Sequence, residues 1–408
     1  MKYSITPRPL TGNIQVPTSK SLAHRAIICA CLAKGTSILK NISYSQDIWA
    51  TIESMKALGA MIKIQDNQCI ITGISHFQSC RCACNESGST LRFLIPIAAS
   101  QKIDVVFEGK ESLMARPMYI YEQIFKSQNR LFEISNTSIR VQGPLHADTF
   151  HIPGNVSSQF ISGLFMAAPL FKNDSILHIE PPFESRSYVN LTLDVLKKFH
   201  IQVEQIDAYT FKIPGHQTYQ SCTYQVEGDY SQMAFFAVLG AIRHHISIEN
   251  MNEFSLQGDQ KILDWLTYTK KNNQLIFHTQ ELTARTFDLA DCPDLGPIVC
   301  VLAAFSKGTS HLIHTQRLRY KECDRIQAME EELKKWGVDI QSDVDSITIR
   351  GKDSYKKEEV VCMDAHNDHR IAMACTVFGY CCESNSILEG AQAIQKSYPN
   401  FFHDIDSL

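Results

Sequence analysis

Basic side chains that could bind phosphate or carboxylate groups recur at the beginnings of the apolar segments of this chain and in the loops that connect them. They are Lys20, Arg25, Arg92, Arg116, Lys321, Arg325, Arg370 and Lys396. Arginine presents a planar fork of donors that fits a carboxylate or a phosphate, and lysine supplies a compact charge. Cations at such positions predict a site for anionic ligands, with basic residues that face each other across a cleft.

Hydroxyl and amide side chains begin one of these apolar segments. Ser157, Ser158 and Gln159 stand together there. Ordinary N-capping explains one serine but not three polar residues in a row. Hydroxyls beside the N–H groups of a helix start suit a phosphate, which is our prediction for this segment.

Two further positions near the other apolar segments favour the same chemistry. Ser21 and Arg25 stand four residues apart, so on a helix they present a hydroxyl and a guanidinium to one carboxylate. Gly88 begins the second apolar segment and allows a ligand to approach the backbone closely, although a single glycine is weak evidence.

The elements that position these residues repeat about every seventy residues. Each repeat begins with a small polar or charged cluster and continues as a strongly apolar helix. The six copies begin at Ser19, Ser87, Ser157, Gly228, Pro293 and Asp368. A helix that is apolar nearly all round must be buried. Its N-terminus carries unpaired N–H groups and partial positive charge, and such ends bind anions.

The rest of each repeat is also regular. A strand follows every apolar helix, as in TSILKNI from Thr36, and an amphipathic helix follows the strand. The first, third and fifth copies then show two alternating segments around a turn, as in LGAMIKIQDNQCIITG, which predict paired strands. A unit of this length is too long for a solenoid repeat and has the size of a subdomain, so six units suggest two lobes of three.

Length, composition and charge agree with this organisation. With 408 residues and 44% hydrophobic content the chain can bury more than one core, so we expect two domains. The formal net charge of −4 excludes a general attraction to nucleic acid or anionic membranes. The start MKYSITPRPL has no cleavage signature, and no apolar stretch is long enough to span a bilayer. We therefore expect a cytoplasmic protein.

The fourteen cysteines lie mostly in apolar segments without paired CxxC spacing, which favours reduced core thiols over disulfides or zinc. The nearest approach to a ligand set is Cys80, Cys82 and Cys84, whose alternate spacing places them on one face of an extended segment. No fourth ligand lies nearby. We predict no metal.

Eight motifs in a fixed order carry a family resemblance. They are PTSKSLAHR, SGSTLRFL, ARPM, VSSQF, CPDLGP, RLRYKECDR, NDHRIAM and KSYPNFF. Together they resemble the successive signatures of the 5-enolpyruvylshikimate-3-phosphate (EPSP) synthase family, from Lys20 to Phe402. The resemblance implies an α/β, two-lobed inverse α/β barrel-like fold of six βαβαββ repeats, three per lobe. We place the crossings between lobes near Ser19 and Gly228, so that residues 1–19 and 228–408 form one lobe and residues 20–227 the other.

The resemblance also implies a reaction and its binding residues. The reaction is transfer of the enolpyruvyl group of phosphoenolpyruvate to the 5-hydroxyl of shikimate 3-phosphate, with release of phosphate and without a cofactor. We expect a monomer, because no exposed heptad or extra domain suggests otherwise. The residues implied for shikimate 3-phosphate are Lys20, Ser21, Arg25, Ser157, Ser158, Gln159, Ser185, Tyr188, Asp294 and Lys321. Those implied for phosphoenolpyruvate, whose site glyphosate occupies in this family, are Lys20, Gly88, Arg116, Gln159, Arg325, Arg370 and Lys396.

The chemistry needs an acid and a base on different sides of the reacting carbon. Family position implies that Asp294 accepts the hydroxyl proton and that Glu322 transfers the proton at carbon, with Lys20 assisting either. Local sequence alone favours helix capping by Asp294 and a salt bridge by Glu322. His369 either binds the intermediate or supports residues that do.

Three positions depart from the family pattern. Thr18 replaces a glycine, Glu86 replaces an asparagine, and Arg317-Leu318 replaces Asn-Trp. Because a carboxylate beside a phosphate site would repel it, we expect Glu86 to pair with a cation or to point away. Because Arg317 stands where the family pattern has asparagine, it is not assigned to the site.

Two alternatives remain open. The related enolpyruvyl transferases that act on UDP-N-acetylglucosamine typically carry a reactive cysteine before their ARP motif, and GKESLMARP from Gly109 has none. A non-catalytic binding module for phosphorylated metabolites would keep the cations and lose the chemistry. The presence of both Asp294 and Glu322 argues against this module.

Overall fold

The computed structural model describes residues 1–408 as a mixed α/β protein. The strands are β1 (Lys2–Ile5), β2 (Thr11–Gln15), β3 (Thr36–Lys40), β4 (Met61–Gln65), β5 (Gln68–Thr72), β6 (Cys80–Asn85), β7 (Asp104–Gly109), β8 (Phe132–Ile134), β9 (Ser138–Gln142), β10 (Thr149–Pro153), β11 (Ser175–Glu180), β12 (Glu204–Gln205), β13 (Thr210–Ile213), β14 (Thr223–Gln225), β15 (His245–Glu249), β16 (Thr269–Lys271), β17 (Gln274–His278), β18 (Thr286–Asp288), β19 (Gly308–Ile313), β20 (Asp339–Ser342), β21 (Ser346–Gly351), β22 (Val361–Asp364) and β23 (Ser386–Glu389).

Helices alternate with these strands. The α-helices are α1 (Lys20–Leu32), α2 (Gln46–Ala57), α3 (Gly88–Ala98), α4 (Glu111–Met114), α5 (Tyr119–Ser127), α6 (Ser158–Ala167), α7 (Arg186–Lys198), α8 (Tyr230–Arg243), α9 (Gly296–Ala304), α10 (Arg325–Lys335), α11 (His369–Cys381) and α12 (Phe401–Asp406). Short 3₁₀ segments are Ala168–Leu170, Gly258–Asp264, Pro293–Leu295, Gln316–Tyr320 and Ala391–Lys396. No helix combines the length and the apolar character needed to cross a membrane.

Six small sheets reveal the internal repeat. Five have four strands, in the orders β14-β3-β5-β4, β6-β7-β9-β8, β10-β11-β13-β12, β16-β17-β15-β2 and β18-β19-β21-β20, and the sixth has three, β1-β23-β22. Each four-stranded sheet joins one parallel pair to an antiparallel hairpin, as β6 pairs parallel with β7, which continues antiparallel to β9 and β8. Four of the parallel pairs flank a buried helix directly, as β6 and β7 flank α3, because parallel strands need a crossover connection.

The remaining two parallel pairs join distant parts of the chain. β2 pairs with β15, and β14 pairs with β3. The chain divides by its contacts into two compact units, Met1–Pro17 with Gly228–Leu408 and Thr18–Glu227. We call them the terminal unit and the inserted unit. Each has its own apolar core, so each buries its three apolar helices within itself.

The apolar helices are buried on every side, as their composition predicts. All residues of α9 and α11 are buried, and α3 leaves only Ser89 partly exposed. Side chains cap most of the helix starts: Ser19, Ser87 and Ser157 in the inserted unit, and Asp229 and Asp368 in the terminal unit. The capping oxygen accepts a backbone N–H that would otherwise be unsatisfied.

The repeat is more complete in its strands than the sequence indicated. Paired strands also occur in the second and fourth copies, as β8 with β9 and β16 with β17. Alternation was not visible there because β8 and β16 have only three residues each, mostly exposed. The prediction of an amphipathic helix in the fourth copy is wrong, because Gly258–Asp264 forms a short 3₁₀ segment instead.

The cysteines are free thiols and most of them are buried. Cys80, Cys82 and Cys84 lie on the inward face of β6, as the alternate spacing predicts. The sulfurs of Cys80 and Cys82 are 3.6 Å apart, whereas the Cys84 thiol donates to the carbonyl oxygen of Cys82.

Candidate active site

The terminal unit brings together five of the residues implied for the site. Asp294 lies in the 3₁₀ turn that precedes α9, Lys321 and Glu322 follow the 3₁₀ segment Gln316–Tyr320, Arg325 begins α10, and Arg370 lies in the first turn of α11. The N-terminal ends of three elements therefore supply the cluster. Asp294 does not cap α9. The N-cap residue of α9 is Leu295, which makes no side-chain capping hydrogen bond.

Arg325 is the centre of this cluster. Its side chain is 1% exposed and contacts three carboxylates: Nε lies 2.8 Å from Asp368, Nη1 3.1 Å from Asp294 and Nη2 2.7 Å from Glu322. Burial by itself lowers the pKa of Arg325, but the carboxylates, Asp368 first, raise it overall. A buried guanidinium with this many partners has a fixed orientation.

Asp294 bridges several cations. Its Oδ2 accepts from Arg370 Nη2 at 2.8 Å, and its Oδ1 lies 3.4 Å from Lys321 Nζ. Arg370 Nη2 also donates to Ser231 Oγ at 3.0 Å. Desolvation lowers the pKa of Lys321, although the Asp294 carboxylate opposes this shift.

Lys396 and His369 lie beside the same helix start. Lys396, at the end of its 3₁₀ segment, donates to the carbonyl oxygen of Asn367 just before α11. His369 is 1% exposed, and its Nδ1 lies 3.9 Å from Asp368 Oδ1. Asp368 caps α11 through the Arg370 N–H at 2.8 Å while it holds Arg325. This carboxylate therefore sets the position of both arginines.

In the inserted unit, α1 carries the first group of implied residues. Lys20 Nζ lies 2.7 Å from Asp47 Oδ2. All three nitrogens of Arg25 donate to protein oxygens: Nε to Thr192 Oγ1 at 2.7 Å, Nη1 to the Ser21 carbonyl at 2.7 Å and Nη2 to the Tyr188 carbonyl at 3.1 Å. Burial lowers the pKa of Arg25 to about 10, so the guanidinium is still charged at neutral pH.

A second group surrounds the start of α3. A Cβ on Gly88 would lie 3.1 Å from Arg116 Nη1 and 3.2 Å from Gln159 Oε1. Gln159 also accepts from Arg92 Nη1 at 2.8 Å and donates to Ser89 Oγ at 3.0 Å. The glycine therefore leaves room in a polar pocket lined by two arginines and an amide.

The implied phosphate-binding serines begin two neighbouring helices. Ser157 Oγ caps α6 by accepting the Gln159 N–H at 3.3 Å, and Ser158 is the first residue of that helix. Ser185 stands before α7 with φ of 52°, and Tyr188 lies one turn further on. α6 and α7 pack against each other, so these residues belong to one region of the inserted unit.

Sequence reasoning missed three polar residues that hold the site, and it named Arg92 among the basic candidates without giving it a ligand. The three are Asp47, Ser231 and Asp368. Asp368 lies inside a recognised motif, which is the signal that could have found it. Asp47 and Ser231 gave no comparable signal.

All three departures from the family pattern have clear partners. Glu86 is paired with Lys110 at 2.7 Å, which confirms the expected pairing with a cation. Thr18 and Ser43 exchange backbone-to-hydroxyl hydrogen bonds of 3.1 Å. Arg317 donates to the carbonyl oxygen of Ala290.

The fold is that of solved enolpyruvyl transferases. EPSP synthase from Acinetobacter baumannii superposes with a TM-score of 0.80 at 22% identity, covering 100% of this chain and 98% of that one. The enolpyruvyl transferase NikO from Streptomyces tendae gives a TM-score of 0.80 at 13% identity, over 100% and 96% of the two chains. The two-lobed inverse α/β barrel-like fold expected from the sequence is confirmed, and it defines the class as an enolpyruvyl transferase fold.

Sequence comparison identifies the family within this class. The sequence model of EPSP synthase (3-phosphoshikimate 1-carboxyvinyltransferase) matches residues 5–405. Proteins named 3-phosphoshikimate 1-carboxyvinyltransferase from Clostridium perfringens and Clostridium novyi are 40% and 41% identical, over 100% and 99% of this chain and 98% and 96% of theirs. The chain belongs to the EPSP synthase family, as its ordered motifs indicated.

Proposed function

We propose that the residues described above in the terminal unit and in the inserted unit perform the reaction of this family on one pair of substrates. The enzyme transfers the enolpyruvyl group of phosphoenolpyruvate to the 5-hydroxyl of shikimate 3-phosphate and releases phosphate, a step of the shikimate pathway to aromatic amino acids. Family membership over nearly the whole chain is the observation that carries this function.

The two substrates bring two phosphates and two carboxylates, and the clusters supply matching groups. Ser157, Ser158 and Ser185 would bind the phosphate of shikimate 3-phosphate, and Ser21 with Arg25 its carboxylate. Fixed cations and hydroxyls stabilise such charges without a metal. Lys321 would contact the shikimate hydroxyls. Tyr188 lies in the first turn of α7, close to Ser185.

Phosphoenolpyruvate would contact the remaining cations. Arg325 and Arg370 would hold its carboxylate, in place of the Asp294 carboxylate that they share at 3.1 and 2.8 Å. The residues proposed for its phosphate are Lys20, Gly88, Arg116, Gln159 and Lys396. A substrate carboxylate that took over both arginines would leave Asp294 available for proton transfer.

The chemistry then needs one proton removed from the 5-hydroxyl, one proton added to C3 of phosphoenolpyruvate and one proton removed from C3 again. Asp294 removes the proton of the 5-hydroxyl, whose oxygen attacks C2 of phosphoenolpyruvate while Glu322 donates a proton to C3. The resulting tetrahedral intermediate has a methyl group. Glu322 then removes a methyl proton as phosphate leaves, and the double bond re-forms, with Lys20 assisting either group.

The quaternary state and location follow the same proposal. We propose a monomer in the cytoplasm. Its proposed lobes, residues 1–19 with 228–408 and residues 20–227, correspond to the terminal unit and the inserted unit, which divide at Pro17 and Thr18. Its partners are the two small substrates alone, without nucleic acid, membrane or cofactor.

Phosphate release tests this function. The protein is mixed with phosphoenolpyruvate and shikimate 3-phosphate in the presence of a chelator, and then with UDP-N-acetylglucosamine as the acceptor. We expect release with shikimate 3-phosphate only. Asp294→Asn and Glu322→Gln each lower kcat by about a hundredfold or more, since general acid–base catalysis contributes that much. Glu331→Gln, an exposed carboxylate on α10, is the control.

Two results would contradict the proposal. Release with the nucleotide sugar alone would assign the chain to the related transferases. Binding of both substrates without turnover in the unchanged protein would favour the non-catalytic binding module.

A further inference from the structure

The loop between β22 and α11 has an unusual backbone. His366 and Asn367 are consecutive residues with φ of 48° and 50°. This left-handed region is uncommon for residues other than glycine, and such conformations persist where the surroundings hold them. Contacts from neighbouring residues must therefore hold this loop in place.

The loop precedes the cations proposed for phosphoenolpyruvate. The carbonyl oxygen of Asn367 accepts from Lys396, and Asp368 accepts from Arg325 Nε at 2.8 Å. Asp368 also accepts the N–H of Arg370 at 2.8 Å. A change in the loop backbone would move the groups that orient Arg325, Arg370 and Lys396.

One buried carboxylate on α10 also holds the loop. Glu332, on α10, is 1% exposed. Its Oε1 lies 2.8 Å from His366 Nε2, and its Oε2 accepts the N–H of Asp364 at 3.0 Å. The two oxygens thus hold Asp364, which stands two residues before the left-handed pair, and His366, the first member of that pair.

The contact between Glu332 and His366 favours the charged form of each group. The hydrogen bond to Glu332 raises the pKa of His366, although burial opposes the shift. Burial raises the pKa of Glu332, but hydrogen bonds from His366, Lys335 and the Asp364 N–H outweigh it and lower the pKa overall. Both groups are therefore stabilised in their charged forms.

Glu332 lies about two helical turns from Arg325, the residue proposed to bind phosphoenolpyruvate. It follows Arg325 by seven residues on α10, which corresponds to about 10 Å along the helix axis. α10 thus contacts the loop region at two points, through Arg325 with Asp368 at its start and through Glu332 with His366 two turns later. Two such contacts fix the loop relative to the helix.

We propose that Glu332 is a positioning residue for phosphoenolpyruvate binding, which acts by holding His366 and the loop that leads into α11. The inference rests on the proposed roles of Arg325, Arg370 and Lys396. It assigns to Glu332 no contact with substrate.

A cation site is the competing explanation for the same residues. Ligand atoms of Glu331, Glu332 and His366 lie within 4.8 Å of one another. However, Lys335 Nζ lies 2.9 and 2.7 Å from the two oxygens of Glu332. This ammonium would compete with a divalent cation for both Glu332 oxygens, so the positioning role is the one the contacts favour.

Steady-state kinetics of three variants test the proposal. Glu332→Gln keeps the shape and removes the charge, and His366→Ala removes the other partner. We expect both to raise KM for phosphoenolpyruvate about tenfold, because small misplacements of binding groups are costly, and to change KM for shikimate 3-phosphate by less than about twofold. Glu331→Gln, the neighbouring exposed carboxylate at 4.0 Å from His366, is the matched control and leaves both values unchanged.

A merely structural role would not separate the KM values of the two substrates. A histidine titration by NMR checks separately that the Glu332 carboxylate interacts with His366. The charged groups facing His366 are Glu331 and Glu332 on α10 and Asp364 on β22, with Lys335 beyond Glu332. We expect the pKa of His366 to fall in Glu332→Gln and to stay nearly unchanged in Glu331→Gln.

Defined outcomes overturn the proposal. They are an unchanged KM for phosphoenolpyruvate in folded Glu332→Gln or His366→Ala, an equal rise for both substrates, or a rise of the same size in the control. If Glu332→Gln does not fold, His366→Ala decides alone, since the His366 side chain is 25% exposed. Failure of the unchanged protein to release phosphate would instead refute the proposed function.

Discussion

At the scale of single residues, the site consists of charges that hold one another in place. Arg325 has carboxylate partners on three sides, and Arg370 shares Asp294 with it. The local expectation of a salt bridge for Glu322 is confirmed by its 2.7 Å contact with Arg325, whereas helix capping by Asp294 is wrong. Both carboxylates remain our proposed proton-transfer groups, because an ion pair at rest does not prevent proton transfer once substrate anions compete for the cations.

Gly88 offers the sharpest test at this scale. In Gly88→Ala, the new Cβ lies 3.1 Å from Arg116 Nη1 and 3.2 Å from Gln159 Oε1, so these groups must shift by a few tenths of an ångström. We expect KM for phosphoenolpyruvate to rise about tenfold with little change in KM for shikimate 3-phosphate. Alanine is at least as good a helix former as glycine, so the melting temperature should not fall. Equal effects on both substrates would place Gly88 outside the phosphoenolpyruvate site.

At the scale of elements, a buried polar chain connects three helices of the inserted unit. His24 Nδ1 lies 2.7 Å from Thr51 Oγ1, Thr51 lies 2.7 Å from Thr90 Oγ1, and Thr90 donates to Ser87 Oγ at 2.7 Å. The chain runs from α1 through α2 to the residue that caps α3, next to Gly88. It therefore couples the helix that carries Lys20 to the glycine pocket.

The burial of His24 predicts sensitivity to acid. Desolvation, with Lys20 and Arg25 nearby, lowers the pKa of His24 well below its ordinary 6.5. Below about pH 6.5 the unfolded chain therefore binds a proton at His24 that the folded chain does not bind. The contribution of neutral His24 to stability is complete above about pH 6.5 and is lost as the pH falls below it. We expect a loss of roughly 1 kcal/mol per pH unit from this group.

Urea unfolding between pH 7 and pH 5 measures this effect. His24→Asn keeps a group that can bond the Thr51 hydroxyl and has no proton to gain, so its unfolding free energy should fall less steeply with acid than that of the unchanged protein. His244, whose pKa burial lowers to about 4, contributes equally in both proteins. Identical slopes would show that His24 does not set the acid sensitivity.

At the scale of the whole molecule, the chain has two cores rather than one. Every buried residue of the first core belongs to the terminal unit, and every one of the second belongs to the inserted unit. Each unit therefore has the apolar burial that independent folding requires. The fold and the six repeats, apart from the amphipathic helix of the fourth copy, could be predicted because they depend on local apolar periodicity.

Two matched substitutions test this separation. Phe165 packs against Phe211 in the inserted unit, and Phe235 packs against Phe401 in the terminal unit. Replacing either buried phenylalanine by alanine costs about 3–5 kcal/mol. In Phe165→Ala we expect faster amide hydrogen exchange in residues 18–227 only, and in Phe235→Ala in residues 1–17 and 228–408 only. Faster exchange throughout the chain in either variant would show that the two cores unfold together.

The sequence by itself determined the repeat, the buried helices and the family, because capping residues, apolar periodicity and ordered motifs are all readable along the chain. It also indicated most of the cations. Only the tertiary structure decided which groups hold them. Arg325 meets Asp368 across 43 residues and Arg370 meets Ser231 across 139, and no local spacing encodes a contact that forms only when separate repeats pack together.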